Sequence, residues 1–252
     1  MNSADRVIAI LSYLASNSGP RGVTEISKKQ GLSKSSAYRA LISLKRAQWV
    51  TQDSETKKYS LGAGVLELGL SILSRLDLRS ASLPYLNELR NTTHEATMLS
   101  ARVDLERMYI EQIQSDHEVG WKVELGRRFP LWLGAPGKAM LAFMSESEIE
   151  MAIDNLRKSG IQVYVSGRLV DIDKLRKELA EIRRQGFTVS SGERLLAVAA
   201  VAAPIFGCNH QVVGAISLGG PLPRFNLDLA TRYGPLISQA ARKISLRLGD
   251  SP

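Results

Sequence analysis

The 252-residue chain has one cysteine, Cys208, three histidines and only 6 % aromatic residues. One thiol cannot close an internal disulfide, so no oxidised scaffold supports this chain and a reducing compartment, the cytoplasm, is expected. Phe206 to His210 reads as a turn, which gives Cys208 a packing or surface role. His94, His117 and His210 lie on separate segments with no Cys, His, Asp or Glu partner at ligand spacing, so no metal is expected. No run approaches the roughly 20 apolar residues of a membrane span. The N-terminal MNSADRVIAILSYLA is short, amphipathic and without a signal-peptide cleavage pattern. No G-x-S-x-G nucleophile elbow occurs. GAPGKAM fails the phosphate-loop pattern, which would need a glycine at Trp132 and a hydroxyl at Ala139. No catalytic residue can be nominated, and the enzyme reading has little to rest on.

What the chain does have is charge concentrated in one place. Of a net +8, residues 1–62 hold ten Lys/Arg against four Asp/Glu, a net +6 that leaves +2 for the other 190 residues. Basicity confined to the first quarter favours a polyanionic partner for that part alone. The length suits two globular units, and 44 % hydrophobic residues are enough to build their cores.

Within the basic quarter, VTEISKKQGLSKSSAYRALISLKRAQW spaces Ile26, Leu32, Ala37, Leu41 and Leu44 at helical intervals. Gly31 tolerates the left-handed conformation that ends a helix, Leu32 turns inward, and Ser33 offers an oxygen to cap a second helix from about Lys34. Ala37, Leu41, Leu44 and Gln48 form its inner stripe; Lys34, Tyr38, Ile42 and Lys45 form the outer one, with Ser35 and Arg39 beside them. A basic, hydroxyl-rich N-terminal end is what a recognition helix presents to base edges and phosphates in the major groove. On an isolated helix such charges are more often a solvated face. Here WVTQ, the turn formers DSET and KKYSL follow as a hairpin, which completes a winged helix-turn-helix with Lys57 and Lys58 on the wing. Ahead of it, Ser3 is expected to cap a helix to about Ser16 with Val7, Ile10, Leu11 and Leu14 inward. Arg21 stands in the connection, within reach of a phosphate or minor groove. The competing reading is a protein-interaction or RNA-binding module with a non-switching second domain; RNA needs stacking aromatics, and this part has only Tyr38, Trp49 and Tyr59.

From Ala63 onward, Leu66, Leu70, Leu73 and Leu76 or Asp77 recur on a lightly charged helix that cannot bury its stripe alone. Pairing with the same helix of a second subunit is favoured, since dimers match symmetric operators. The expected organisation is 1–62 for DNA binding, 63–80 as connector and 81–252 as a second domain. In the latter a helix over 81–93 precedes strands at 95–103, 106–113 and 119–125. A glycine- and proline-bearing loop follows at GAPGKAM, then an apolar helix, an acidic helix over 145–158 and another over 171–185. Strands at 187–191, 196–206 and 211–218 and a final helix over 227–248 complete an α+β domain, an antiparallel sheet flanked by helices with room for a pocket.

In that order the segments resemble the IclR family of bacterial transcriptional regulators over nearly the whole chain. The residues that carry the resemblance are RVIAILSYLA, VTEISKKQGLSKSSAYRALISLKRAQWV and YSLGAGVLELG, then FPLWLGAPGKAMLAF, ELAEIRRQGFTVSSGE, VAAPIF and VVGAISLGGP. The resemblance implies a winged helix-turn-helix, a linker helix and a GAF-like effector-binding domain with no cofactor, assembled as a dimer or tetramer. It also implies a double-stranded DNA operator whose occupancy a small molecule alters, expected to be a metabolite of a neighbouring operon. By position, Ser33, Lys34, Ser35, Ser36, Tyr38 and Arg39 match the groove-reading residues, with Lys57 and Lys58 on the wing. The effector residues by the same mapping are Trp121, Trp132, Ala135, Pro136, Ser190, Val198, Ala200, Ser217 and Gly219. Ser190 stands where members that bind small carboxylic acids often carry an acidic residue, and Ala200 where they often carry cysteine. Trp121 and Trp132 stand where a smaller residue or a histidine is frequent. A roomier apolar floor beneath two indoles implies a larger or aromatic effector, although tryptophans and small strand residues are also ordinary core. Arg127 and Arg128 read as solvated. Repressors and activators share this architecture; repression is the working expectation.

Overall fold

The computed structural model describes residues 2–17, 19–73, 77–159 and 163–250, with backbone alone for 70–73 and 77. Contacts divide the chain into two compact units, Met1–Leu76 and Asp77–Pro252. Among the described residues, no helix is long and apolar enough to cross a membrane.

The first unit contains α1 (Ser3–Ala15), α2 (Val23–Lys29), α3 (Lys34–Arg46), a hairpin of β1 (Val50–Gln52) and β2 (Tyr59–Leu61), and α4 (Ala63–Leu73). Its core is Ile10, Leu14, Ile26, Ala37, Leu41, Leu44, Val50 and Tyr59. The cap of α1 is Asn2 rather than Ser3. Asn2 Oδ1 accepts from the Asp5 amide while the Asp5 carboxylate accepts from the Asn2 amide, both at 2.9 Å, so two orphan donors are met reciprocally. Gly31 (φ +63°) makes the turn between α2 and α3. Gln48 is not on the inner stripe of α3: the helix ends at Arg46, and Gln48 takes a left-handed φ of +60° in the exposed turn into β1. Arg21 pairs its backbone with Tyr59 in both directions at 2.8 Å, and its guanidinium meets Glu25 at 3.0 Å. That side chain is therefore engaged inside the unit. Along α4, Leu66 is 62 % and Leu68 47 % exposed; the stripe positions Leu70, Leu73 and Leu76 lie outside the described side chains.

The second unit is built on one antiparallel sheet in the order β5-β4-β3-β8-β7-β6. Its strands are β3 (Ala96–Val103), β4 (Glu106–Ile113), β5 (Arg128–Pro130), β6 (Thr188–Ser191), β7 (Val198–Phe206) and β8 (Val212–Pro221). Strand alternation divides the core between the two faces. Leu99, Val201, Ala203, Ile205, Ile216 and Leu218 pack with α5 (Asp77–Thr93), α9 (Leu227–Arg232) and α10 (Gly234–Arg247). Met98, Ala200, Ala202 and Ala215 pack with α6 (Gly134–Leu141), α7 (Glu146–Lys158) and α8 (Ile172–Gln185).

Four expectations are corrected here. Residues 77–80 open α5, so the connector does not extend to 80. GAPGKAM is helix, not loop: α6 starts at Gly134 and is buried throughout. The final helix is two, because Gly234 and Pro235 start α10 afresh and a proline ring cannot continue α9. Residues 119–125 form no strand, and 128–130 pair with β4 instead. The alternation that suggested a strand is real, since Trp121 and Val123 are buried while Lys122 and Glu124 are exposed. Yet the segment's backbone is held by one side chain: Gln112 Nε2 donates to the Trp121 carbonyl at 2.7 Å and its Oε1 accepts from the Val123 amide at 3.0 Å. Period-two burial reports which side faces the core, not the presence of a ladder.

Candidate functional site

The first unit presents the N-terminal turn of α3. Ser33 Oγ accepts from the Ser36 amide at 3.2 Å and shares a hydroxyl cluster with Ser35 and Ser36, so Ser33 is committed to capping. Lys34, Ser35, Tyr38 and Arg39 are exposed beside it. An exposed Tyr38, at 51 %, leaves an amphipathic ring available on a basic face. Lys45 Nζ reaches Gln52 Oε1 at 3.3 Å, and Gln52 Nε2 donates to the Lys57 carbonyl at 3.1 Å, tying the end of α3 to the wing. Asp53 accepts from Thr56 Oγ1 at 2.6 Å and the Thr56 amide at 2.7 Å. Those bonds hold its carboxyl below the usual carboxylate range, the hydroxyl bond foremost. Lys57 (φ +56°) and Lys58 project at the turn so shaped, both exposed.

In the second unit a cavity of about 20 Å³ opens at the first turn of α6. Of the residues nominated from sequence, Trp121, Ala135, Pro136, Ser190, Val198 and Ala200 line it. Gly219 sits behind the indole: a Cβ there would stand 2.7 Å from Trp121 Cζ3 and 3.2 Å from Ala200 Cβ. Trp121 thus fills the floor that the small residues at Ala200 and Gly219 leave, and the roomy floor expected from the sequence is absent. Ser217 is fully buried with its hydroxyl 3.4 Å from the Met98 carbonyl, away from the lining. Trp132 is also elsewhere. Its ring meets Tyr164 edge-on at 6.2 Å and borders a separate groove with Leu105, Pro130, Leu133 and Ala152.

Sequence reasoning missed the ionic residues of this cavity. Arg107 and Arg194 line it. Arg107 Cζ stands 4.7 Å from the Tyr109 ring and 5.2 Å from Phe129. Arg194 Cζ stands 5.1 Å from both Trp121 and Phe129 and 5.6 Å from Tyr109. Burial foremost, and Arg107 among its neighbours, hold the Arg194 guanidinium below its ordinary pKa, with Tyr109 opposing. Glu193 completes the start of α6. Its Oε2 accepts from the Gly134 amide at 2.9 Å while Ser190 Oγ accepts from the Ala135 amide at 2.9 Å, satisfying amides that a buried helix start would leave orphaned. Glu193 Oε1 also takes Lys138 Nζ at 2.6 Å, and Glu178 takes it at 3.0 Å. Glu193, three positions past Ser190, was not nominated from the sequence. A signal for Arg107 existed: it shares strand parity with Tyr109, so an inward tyrosine on β4 puts the arginine inward too.

Among the described residues no three His, Cys, Asp or Glu side chains gather as a metal ion would need. His94 and His210 each lie 3.0 Å from one aspartate, Asp116 and Asp250, and Cys208 is exposed.

Residues 3–54 match the IclR helix-turn-helix domain and residues 70–246 match the bacterial transcriptional regulator IclR C-terminal family. The chain belongs to the IclR family. This IclR-family chain is 33 % identical to the HTH-type transcriptional repressor AllR of Escherichia coli K12 over 245 residues, 97 % of its own length and 89 % of that protein's. It is 26 % identical to an IclR transcriptional regulator from Alicyclobacillus acidocaldarius, with a TM-score of 0.85 over 98 % of each chain. It shares its fold with an IclR homolog from Microbacterium hydrocarbonoxydans complexed with 4-hydroxybenzoate, at TM-score 0.84 and 22 % identity over 99 % of this chain and 100 % of that one. The protein is a DNA-binding transcriptional regulator and not an enzyme.

Proposed function

We propose that this IclR-family regulator is a repressor that reads a double-stranded operator with the first turn of α3, and that a small-molecule effector entering the α6 cavity releases it. The observation that carries the reading is the exposed group Lys34, Ser35, Tyr38 and Arg39 beside a wing bearing Lys57 and Lys58. Cations at a helix start and on a neighbouring hairpin match groove edges and phosphates of one duplex. Ser33 and Ser36 then act by shaping the turn. Repression follows the name of the relative AllR. Effector control is supported by the cavity and by the ligand that the Microbacterium homolog holds.

The protein works as a dimer or tetramer in the cytoplasm, where operator DNA is. The stripe residue Leu66 on α4 is exposed, and an uncovered apolar side chain there supports self-association. DNA reading occupies 1–62 and effector binding 77–252, joined by a short connector. For release to occur, the effector must favour one arrangement of the two units over another.

A mobility-shift titration on the promoter of the adjacent operon tests the reading. Affinity falls about 1,000-fold between 50 and 200 mM salt if several phosphates are contacted. Lys57→Ala weakens binding to operator and random duplex alike and lowers the salt slope by about one. Salt-insensitive binding, or preference for single-stranded RNA, would sink the proposal.

A further inference from the structure

We propose that the groove between the end of α8 and the side of α10 is a second small-molecule site, which takes a phosphomonoester with a flat apolar body. It lies in the second unit at the C-terminal end of α6, where Phe143 lines it, and shares no residue with the cavity at that helix's first turn. At about 360 Å³ it has the size of a pocket for a small organic molecule.

The first ground is charge. Arg183, Arg184 and Arg242 line the groove, and the one acid of the lining, Asp250, is turned to His210, 3.0 Å from its Nδ1. Glu181 answers Arg184 at 3.0 Å. Glu146 stands 3.9 Å from Arg183 and is shared with Arg176 at 3.4 Å. Arg183 and Arg184 sit in the last turn of α8, where cations complement a helix dipole. Arg242 has no such reason. It lies inside α10, exposed, with no acid or hydrogen-bond partner among the described residues. Three guanidinium forks around one opening outnumber the two oxygens of a carboxylate, whereas a phosphomonoester brings three terminal oxygens and about −1.5 to −2 charges at neutral pH.

The second ground is that the neutral polar groups are occupied. Ser245 Oγ donates to the Ala241 carbonyl and accepts from the Phe206 amide, Ser238 donates to the Gly186 carbonyl, and Gln185 donates to the Phe187 carbonyl. Recognition is left to the cations, so a cationic ligand finds nothing to bind.

The third ground is the floor. Phe143 meets Phe206 edge-on at 5.2 Å, with Ala241 and Leu246 beside them, and Leu246 is 53 % exposed. His210 stacks on Phe206 at 4.2 Å and 7°. That seat requires two consecutive non-glycine residues, Asn209 (φ +60°) and His210 (φ +57°), in the left-handed region, where glycine is the unstrained choice. The imidazole, fixed by Asp250 on one side and Phe206 on the other, keeps Nε2 for a ligand. Aromatic faces and an exposed leucine suit a flat ring.

Calorimetry on the full chain with phenyl phosphate tests this. One molecule should bind per chain. Inorganic phosphate and benzoate should each bind the groove about tenfold more weakly, for want of the ring or of the third oxygen and second charge. Phenol and phenyltrimethylammonium should not bind. Arg242→Gln and Leu246→Asp, both at exposed positions, should each weaken phenyl phosphate about tenfold by removing or opposing positive charge. His210→Gly, which suits the left-handed backbone, should weaken it as well. Arg194→Gln, in the α6 cavity, should leave it unchanged. Affinity indifferent to Arg242→Gln and Leu246→Asp, inorganic phosphate or benzoate binding as tightly as phenyl phosphate, or no binding at millimolar concentration would each overturn the site. Loss of phenyl phosphate in Arg194→Gln would overturn it too, by moving the ligand to the α6 cavity. Leu246→Asp that dissociates oligomers in solution while phenyl phosphate affinity stays the same would give the groove to a second copy of the chain. None of these outcomes touches operator reading by α3, which rests on the first unit.

Discussion

Glu193→Ala lowers the stability of the second unit by about 3–5 kcal/mol, the usual cost of leaving a buried charge without its partner. Lys138 is 1 % exposed and Glu193 5 %, and their side chains meet at 2.6 Å, so deletion strands an ammonium inside the fold and strips the cap from the Gly134 amide. For a unit of this size the melting temperature drops on the order of 10 °C. Glu178→Ala costs less, since that side chain is 33 % exposed and water can replace it. Adding Lys138→Met to Glu193→Ala should recover much of the loss; a double variant as unstable as the single one would show that the cap, not the charge, dominates. The pH dependence has a definite sign. Burial, the largest influence, pulls the Lys138 ammonium down, but Glu193 and Glu178 outweigh it and its pKa stands above the ordinary 10.5. A raised folded value means the pair stabilises fully below the ordinary lysine range and loses that contribution as pH climbs through the folded value. Thermal melts of wild type and Glu193→Ala should therefore differ most at neutral pH and converge in strong alkali.

Arg39→Ala removes about 1–3 kcal/mol of discrimination between operator and mutated operator, a factor of roughly 5 to 160. Arg39 is exposed on α3, one turn past Ser35, and a guanidinium there can make a bidentate contact to a guanine edge. Lys57 sits on the wing, where a cation reaches phosphate and carries no sequence information. Competition shifts with specific and random duplex separate the two: Arg39→Ala loses preference, Lys57→Ala loses affinity evenly. The reverse pattern would exchange the roles of helix and wing. The fold of the first unit should not respond to either change, because its core of Ile10, Ile26, Leu41 and Tyr59 touches neither side chain's charge.

Much of the architecture was legible because its signals are local. The turn at Gly31 and the cap at Ser33, like the starts of the helices near Ser145 and Asp171, depend on neighbours within a few residues. The failures arose where one pattern serves two structures. Alternation at Trp121 and Val123 suited a strand, and a side-chain amide from Gln112 took the partner strand's place. Glycines and a proline suited a loop at GAPGKAM, yet Gly137 is there because a Cβ would overlap the Leu131 carbonyl as α6 packs close.

By itself the sequence determined a basic reading module, a second α+β module, their main elements and the exposed face of α3. Only the tertiary structure decided the lining of the α6 cavity. Arg107, Lys138 and Arg194 carry the same local signature as any solvated cation, and what buries them lies far along the chain. Lys138 finds Glu193 across 55 residues, and Arg194 finds Tyr109 and Phe129 when β4 and the loop after β6 meet over α6. Periodicity tells which face a residue shares; the charge or ring that awaits it there depends on how the sheet closes.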